Sequence, residues 1–359
     1  MSVPVPGRSY EVVVGEGLLA HAGEHLAELL AAERAFVIAD AAVAERWYAT
    51  LEASLTGVGL HPLLLAIPPG AEAKTLQVYT ALLHQLAAQE AHRDDVVIAL
   101  GGGSTGDLAG FVASTYMRGV PLVQVPTTLT AQVDAAIGGK TAVNLPEGKN
   151  LIGTFYQPLV VLCDVLTLAS VPDRDYRTGL AEVAKYGLTL DLDLLAQLEA
   201  DPAPVLARTP DALVRLVARC AAAKARTVAE DEHDRGLRMV LNYGHTLGHA
   251  LERLGEFSEV SHGEAISVGM VFAALVAERR GMCSEGLAAR TVRLLRSLGL
   301  ETDGPLPPVE AILAAFRMDK KYRAGVRFVL LEDVGRPVVV PDVSTEQVRG
   351  VLLEMGAPT

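Results

Sequence analysis

The first half of the chain alternates short apolar runs with longer amphipathic stretches. Strands are predicted for six runs rich in β-branched and aliphatic residues, at positions 11–14, 35–39, 63–67, 95–100, 121–125 and 159–163. Between them, residues 18–32 and 76–91 repeat apolar positions at helical spacing. Strands that alternate with helices are typical of a mostly parallel sheet covered on both faces, so an α/β domain is predicted here.

The second half of the chain has a different pattern. Long Ala- and Leu-rich segments predict helices at positions 176–190, 211–230, 240–254, 263–280 and 288–298. Strand signals nearly vanish until residues 327–331. The pattern therefore predicts an α/β domain at 1–170 and an all-α domain at 171–359, with a boundary near residues 171–173.

Composition and charge narrow the class of protein. The chain is 50% hydrophobic, 21% charged and 5% aromatic, which is typical of a globular protein with a core of Ala, Val and Leu. No apolar run reaches the roughly 18–20 residues of a membrane span, and no signal-peptide pattern opens the chain. Three cysteines without a CxxC motif favour a reducing cytoplasm and disfavour cysteine metal ligands. A net charge of −12 disfavours nucleic acid and anionic membranes, although a small anionic substrate remains possible.

A histidine cluster is the strongest chemical signal. Three of the nine histidines, His245, His249 and His262, fall within 18 residues, and the first two share a face if the segment is helical. Upstream, Glu182 lies in an otherwise apolar helical stretch. Two imidazoles and one carboxylate are a usual protein shell for a catalytic zinc ion, so a metal site is predicted. His245 and His249 as joint ligands, or histidines that only cap helices, are the alternatives.

A glycine-rich loop at 101–107 follows a predicted strand and precedes a helix. Its letters satisfy GxGxxG, and such a loop with the following helix N-terminus suits a pyrophosphate. It departs from the dinucleotide fingerprint because it is not in the first βα turn and lacks an acidic residue about 20 positions later. Asp40, at the end of an earlier strand, could instead hold a ribose. Thr127 and Thr128 could contact a cofactor after another strand, or could simply cap a helix.

Basic residues accompany these motifs at eight positions: Arg118, Lys140, Lys149, Lys185, Lys224, Arg238, Lys320 and Lys321. Most lysines of a globular protein are solvated. Lys140, however, lies in a glycine-flanked loop, Lys185 is three residues from Glu182, and Arg238 precedes the histidine segment. Cations that converge beside a metal suit a substrate with phosphate and carboxylate groups.

Seven segments together carry a family resemblance: 101–110, 116–119, 124–139, 149–153, 181–185, 242–249 and 262–264. With them the chain resembles 3-dehydroquinate synthase, a sugar-phosphate cyclase family, from Asp40 to the lysine pair at 320–321. The resemblance implies an α/β NAD-binding domain at 1–170 and a helical metal- and substrate-binding domain at 171–359. Two departures concern the cofactor: Ser104-Thr105 replaces two aliphatic residues, and Ala71 stands where a ribose-contacting Glu is common, beside Glu72.

The resemblance also implies site residues. Zn²⁺ or Co²⁺ would be bound by Glu182, His245 and His262. NAD⁺ would be held by Asp40, Glu72, Lys74, Gly102, Gly103, Ser104, Asp107, Thr127, Thr128, Lys140 and Lys149. The substrate and its chemistry would use Arg118, Asp134, Lys140, Asn150, Lys185, Lys224, Arg238, Asn242, His249 and Lys320, the last in preference to Lys321.

The implied activity is the conversion of 3-deoxy-D-arabino-heptulosonate 7-phosphate to 3-dehydroquinate and phosphate in the shikimate pathway. Transient oxidation by NAD⁺ would be followed by phosphate β-elimination, reduction, ring opening and aldol closure, so the cofactor would be recycled. The implied partner is a small anionic sugar phosphate, with no nucleic acid and no membrane. A homodimer in the cytoplasm is expected.

Three other functions remain open. A sister cyclase of the deoxy-inosose or valiolone type would share the metal and NAD⁺ parts, but is expected to carry an acidic residue where this chain has Asn242. An alcohol dehydrogenase of the glycerol dehydrogenase type is disfavoured by the anion-binding set Arg118, Lys140, Asn150 and Arg238. A catalytically silent nucleotide-binding or scaffold protein is disfavoured by the intact ligand set.

Overall fold

The computed structural model describes residues 1–234, 236–255, 260–317 and 327–359. Two compact units divide the chain: the first comprises residues 1–172 and 208–233, and the second comprises residues 173–207 and 234–359. Each unit has its own secondary structure, given in chain order below.

The described strands are β1 (Ser2–Val3), β2 (Tyr10–Gly15), β3 (Arg34–Asp40), β4 (His61–Ile67), β5 (Val96–Gly101), β6 (Leu122–Pro126), β7 (Lys140–Leu145), β8 (Gly148–Phe155), β9 (Val160–Asp164), β10 (Phe328–Asp333) and β11 (Arg336–Val340). The described α-helices are α1 (Ala22–Ala27), α2 (Ala41–Val43), α3 (Ala49–Gly57), α4 (Leu76–Ala88), α5 (Gly103–Thr115), α6 (Asp173–Thr189), α7 (Leu192–Ala200), α8 (Ala203–Leu206), α9 (Pro210–Glu230), α10 (His245–Leu254), α11 (His262–Arg279), α12 (Leu287–Ser297), α13 (Val309–Arg317) and α14 (Thr345–Glu354). Short 3₁₀ or π turns lie at Leu18–His21, Ala44–Tyr48, Gly70–Ala73, Tyr116–Arg118, Ala131–Ala135, Val165–Ser170 and Leu237–Asn242.

The first unit contains a seven-stranded sheet in the order β1-β2-β9-β6-β5-β3-β4. Every neighbouring pair is parallel except β1 with β2. From β3 the chain moves outward to β4, whereas from β5 it moves the other way to β6, so the strand order reverses between β3 and β5. In parallel sheets of this kind, ligands bind outside the carboxyl ends of the strands at that reversal. The predicted mostly parallel α/β domain is confirmed.

Alternate residues of β3 enter two separate hydrophobic clusters, one on each face of the sheet. Phe36 and Ile38 pack with residues of α4 and α5, while Ala35, Val37 and Ala39 pack with residues of α1 and α3. This two-residue periodicity is what a strand imposes on its side chains. Burial of both faces explains why these strands are continuous apolar runs in the sequence.

Helix α9 belongs to the first compact unit, although the predicted limit at residue 170 placed it in the all-α domain. Its apolar face, which includes Leu213, Val217 and Cys220, is buried. That helix packs against β1, β2 and the turns at Ala131–Ala135 and Val165–Ser170. The functional domains predicted at 1–170 and 171–359 stay a prediction. The compact units differ from them at α9, which follows residue 170 in the chain but belongs to the first unit.

The second unit is helical, as predicted, and also contains an antiparallel hairpin of β10 and β11. The strand signal at 327–331 coincides with the first of these strands. Helix α11 packs against α6, α10, α12, α14 and β10, which explains its mostly apolar sequence. Among the described residues, no helix is long and apolar enough to cross a membrane.

Candidate metal and substrate site

Two charged side chains of helix α6, Glu182 and Lys185, are buried within the second unit. Glu182 and Lys185 are each about 1% exposed, and the Lys185 Nζ lies 2.6 Å from the Glu182 Oε2. Their three-residue spacing places them on neighbouring positions of one helical face. Burial of a carboxylate is costly unless a partner offsets the lost hydration, and the ammonium group of Lys185 supplies one.

The two histidines that begin α10 and α11 face the same carboxylate oxygen. The Nε2 atoms of His262 and His245 lie 3.0 Å and 3.4 Å from the Glu182 Oε1. One ligand atom from each of the three residues lies within 4.8 Å of the other two. Three converging donors of these types, two imidazoles and a carboxylate, fit a divalent metal ion that keeps a position open for a substrate.

The outer ring nitrogens of both histidines also have partners. The His245 Nδ1 lies 3.1 Å from the carbonyl oxygen of Tyr243, and the His262 Nδ1 lies 3.5 Å from the Glu252 Oε2. When Nδ1–H donates to such an oxygen, the Nε2 lone pair is left to coordinate a metal. The arrangement therefore matches the ring orientation that metal-binding histidines require.

Charge couples the three donors. Burial opposes ionisation of Glu182, but Lys185 and His245 outweigh it and hold the pKa of that carboxyl well below its usual range. Burial likewise opposes the charged form of His262, yet hydrogen bonds to Glu182 and Glu252 raise its pKa to about 10. A metal ion would have to compete with a proton for these donors.

Close helix packing brings the histidines together. A Cβ on Gly269 of α11 would stand 1.9 Å from the carbonyl oxygen of Gly244, the residue before α10. A Cβ on Gly248 would stand 3.0 Å from a side-chain carbon of Ile266. At Gly269 only glycine allows the backbones to approach this closely, and at Gly248 a side chain would crowd Ile266, so these positions limit the distance between α10 and α11.

His249 lies one helical turn after His245 and is exposed. Its ring centroid is 5.4 Å from that of His245 and 6.5 Å from that of His262. It borders the group of three donors without belonging to it. This geometry favours Glu182, His245 and His262 over the alternative pair of His245 and His249, although the ligand roles stay a prediction.

Arg238 and Asn242 lie in the turn before α10. Arg238 is 2% exposed, so it is a buried cation rather than a solvated surface charge. Asn242 is half-buried, and its Nδ2 donates to the carbonyl oxygen of Met239 at 3.0 Å. The residue that caps α10 is Gly244, with φ 79°, so Asn242 is not the cap of that helix.

The first unit brings a second set of candidates together. The Lys74 ammonium group contacts the carboxylate of Asp107 and the amide oxygen of Asn150. The Lys224 Nζ lies 2.7 Å from the Asp134 Oδ1. Burial raises the pKa of Asp107, whereas the ammonium groups of Lys74 and Lys224 oppose that rise. All five residues were predicted from the sequence.

The glycine loop lies at the carboxyl end of β5. Packing requires its first glycine, because a Cβ on Gly101 would stand 2.5 Å from the Thr105 Oγ1. At Gly102 the space is tight, since a Cβ there would stand 3.1 Å from the Thr128 Cγ2. Helix α5 begins directly after Gly102, which has no side chain to cap the first N–H groups. Those groups therefore lie at the edge where the strand order reverses, and they suit an anionic ligand.

Asp40 lies across that reversal, at the end of β3. Its carboxylate accepts a hydrogen bond of 3.0 Å from the Val43 backbone and so caps α2.

The remaining predicted site residues differ in how exposed they are to solvent. Thr127 is buried, Ser104, Thr128 and Lys149 are half-buried, and the exposed ones are Glu72, Arg118, Lys140 and Asn150. Lys320 and Lys321 lie outside the described residues.

Sequence reasoning missed Glu252. This carboxylate lies seven residues after His245, on the same face of α10, and contacts His262. The spacing from His245 to His249 and Glu252 was visible in the sequence. Its contact with His262 was not, because it depends on how α10 and α11 pack.

The chain is similar to a known enzyme family along most of its length. The family model described as 3-dehydroquinate synthase N-terminal matches residues 64–178, and that described as 3-dehydroquinate synthase C-terminal matches residues 179–322. A curated relative from Pelobacter propionicus, named 3-dehydroquinate synthase, is 44% identical over 348 residues, which is 97% of each chain.

Two solved structures share the fold closely. A crystal structure of 2-deoxy-scyllo-inosose synthase complexed with carbaglucose-6-phosphate, NAD⁺ and Co²⁺ has a TM-score of 0.90 and 29% identity, and the match covers 99% of both chains. A 2-epi-5-epi-valiolone synthase from Streptomyces hygroscopicus subsp. jinggangensis with NAD⁺ and Zn²⁺ bound has a TM-score of 0.89 and 31% identity, and the match covers 98% of both chains.

Proposed function

Because the chain belongs to the 3-dehydroquinate synthase family, we propose that it converts 3-deoxy-D-arabino-heptulosonate 7-phosphate to 3-dehydroquinate and phosphate. It would be a carbon–oxygen lyase that eliminates phosphate and depends on NAD⁺ and on Zn²⁺ or Co²⁺. The observation that carries this proposal is the buried donor set of Glu182, His245 and His262 in a chain that matches this family along most of its length.

These three residues would hold the metal. When bound, such an ion acts as a Lewis acid on the substrate hydroxyl that is oxidised. Lys185 would keep Glu182 ionised in its buried position, since the ammonium group lies 2.6 Å from that carboxylate. Exposed His249 borders the donors, and we assign it the proton transfers of the reaction, which an imidazole can carry out near neutral pH.

NAD⁺ binding is proposed for the first unit, at the reversal of strand order between β3 and β5. When bound, NAD⁺ would supply a transient hydride acceptor for a reaction that is redox-neutral overall. The N–H groups that follow Gly102 and Gly103 would face the pyrophosphate, and Asp40 would face a ribose. The remaining proposed contacts are Glu72, Lys74, Ser104, Asp107, Thr127, Thr128, Lys140 and Lys149.

The substrate carries a phosphate and a carboxylate, and both need cationic or amide partners. We propose that the residues that bind and orient it are Arg118, Asp134, Lys140, Asn150, Lys185, Lys224, Arg238, Asn242 and Lys320. Arg238 and Lys224 are buried cations, and charge-assisted hydrogen bonds are strong where water is excluded. Their part would be orientation and electrostatic stabilisation during elimination of phosphate and closure of the ring.

The proposed setting is a homodimer in the cytoplasm with a small sugar phosphate as its partner. Cys163 and Cys220 are buried cysteines, and the chain has three cysteines without a CxxC motif, which suits a reducing compartment. The second candidate function is that of a sister cyclase, because both solved relatives described above are enzymes of that kind. The two candidate functions would differ in the sugar phosphate that is the substrate, and they would share the cofactors.

The test is release of phosphate from 3-deoxy-D-arabino-heptulosonate 7-phosphate with Zn²⁺ and NAD⁺ at one tenth of the substrate concentration. We expect complete conversion to 3-dehydroquinate without accumulation of NADH. NADH that rises in step with product would instead identify a dehydrogenase. Glucose 6-phosphate and sedoheptulose 7-phosphate are assayed in parallel, and faster turnover of either would identify a sister cyclase.

A further inference from the structure

We propose that Glu252 is a positioning residue that orients His262 for metal binding, an inference that rests on the metal site proposed above. The Glu252 Oε2 lies 3.5 Å from the His262 Nδ1, whereas the His262 Nε2 lies 3.0 Å from the Glu182 Oε1. The two carboxylates therefore contact different nitrogens of one imidazole. Glu182 belongs to the proposed metal-binding group together with His262. Glu252 lies outside that group and would act on the metal only through the imidazole of His262.

The place of Glu252 in the fold supports a specific role. It is 7% exposed, on the face of α10 that also carries His245 and His249. A carboxylate so far from water is costly unless it accepts hydrogen bonds. The His262 Nδ1 lies 3.5 Å from this carboxylate, so the imidazole supplies one of the contacts of the buried Glu252.

The physical consequence is a choice of tautomer. A metal ion at Nε2 would displace the proton from that nitrogen, and the imidazole would then carry one proton. The Glu252 carboxylate at Nδ1 would keep that proton on Nδ1 and so leave the Nε2 lone pair to the ion. A carboxylate also makes the ring a stronger donor than a neutral acceptor would, and outer partners of this kind are worth about 10–100-fold in metal affinity.

The two histidines obtain this orientation in different ways. His245 relies on the backbone carbonyl of Tyr243, which no substitution removes. His262 relies on the side chain of Glu252, which can be changed without altering any proposed ligand. The contribution of Glu252 is therefore open to direct measurement.

The experiment compares the full-length wild type with Glu252→Gln and a matched control, Glu278→Gln. Glu278 lies on the same helix as His262, but its Oε1 accepts from the backbone N–H groups of Gly286 and Ala288. Each variant loses one carboxylate and keeps nearly the same shape. Zn²⁺ affinity is measured by competition with a chromophoric chelator, the ligand field by the Co²⁺ absorption spectrum, and stability by melting of the metal-free proteins.

We expect Glu252→Gln to weaken Zn²⁺ binding by about 10-fold or more and to shift the Co²⁺ spectrum. Glu278→Gln should keep wild-type metal affinity even where its melting temperature falls. Zn²⁺ affinity within twofold of wild type for Glu252→Gln would overturn the inference. A wild type that binds no Zn²⁺ would overturn the metal site itself, which is a distinguishable result.

Should Glu252→Gln fail to fold, Glu252→Asp takes its place. That variant keeps the charge but withdraws the carboxylate by one methylene from His262. Weaker Zn²⁺ binding by Glu252→Asp, with a wild-type melting temperature for the metal-free protein, supports the positioning role. Unchanged Zn²⁺ affinity contradicts it.

Discussion

Gly263 in the first turn of α11 lies against Thr178 in α6, and a Cβ on Gly263 would stand 2.4 Å from the Thr178 Cα. Two carbon atoms cannot approach that closely. Thr178 is one turn before Glu182, and Gly263 directly follows His262. The missing side chain therefore lets two proposed metal ligands from different helices reach each other.

Gly263→Ala should separate α6 from α11 and weaken both folding and metal binding. Overpacking of this kind costs about 1–3 kcal/mol, to be measured by urea unfolding of the metal-free protein. Zn²⁺ affinity should fall as well, because the His262 Nε2 moves away from Glu182. The control is Gly350→Ala in α14, where a Cβ meets no atom within 4 Å. It should be neutral or stabilising by up to about 1 kcal/mol, as alanine favours a helix. Equal stability of both variants would mean that α11 shifts without cost.

The proposed ligand set predicts different effects for two neighbouring histidines. His262→Ala should lose bound Zn²⁺, because it removes one of three donors, while His249→Ala should keep one Zn²⁺ per chain and lose turnover. Metal content after dialysis and anomalous scattering at the zinc edge provide the measurements. A zinc peak bound by His249, with Glu182 remote from it, would contradict the assignment.

Lys140 should serve the substrate rather than the fold. It is exposed at the start of β7, so Lys140→Ala should leave the melting temperature and Zn²⁺ content unchanged. Loss of one charge-assisted contact to a substrate anion would cost roughly 1.5–3 kcal/mol, or about 10–150-fold in kcat/KM. Arg215→Ala, which removes an exposed cation from α9, is the control. Wild-type kcat/KM for both variants would make Lys140 an ordinary surface charge.

Asn242 should contribute to the choice of substrate. A neutral amide tolerates a nearby substrate carboxylate, whereas an aspartate would repel it in a partly dry site. We therefore expect wild type to prefer the carboxylate-bearing heptulosonate phosphate, and Asn242→Asp to reduce that preference at unchanged Zn²⁺ content. The ratio of kcat/KM values for three sugar phosphates is the measurement, because a ratio is insensitive to the fraction of protein that is folded.

Asn242→Asp also has a structural effect that the assay must separate. Its carboxylate would face the carbonyl oxygen of Met239, to which the amide now donates, so some loss of stability is expected. A lower melting temperature with an unchanged substrate ratio would show that Asn242 only supports the turn before α10.

Local patterns in the sequence determined much of this protein. Runs of β-branched residues specified β3 and β5, and helical spacing specified α4 and α10, because side-chain periodicity follows directly from backbone geometry. The glycine loop was also predicted from the sequence, because its pattern of glycines is local. Gly101 contacts Thr105, four positions away, and Gly102 contacts Thr128 in the loop after the next strand. The hairpin β7–β8 was not predicted, because half of the β8 residues are exposed and its pattern is weak.

Only the tertiary structure decided which distant residues meet. His262 and Glu182 are 80 residues apart in the chain, and their contact depends on helix packing at Gly263 and Gly269. The partnership of Glu252 with His262, the network around Lys74 and Asp107, and the inclusion of α9 in the first unit have the same origin. A sequence pattern records which face of an element is apolar, whereas the partner of that face is chosen by the packing of the whole unit.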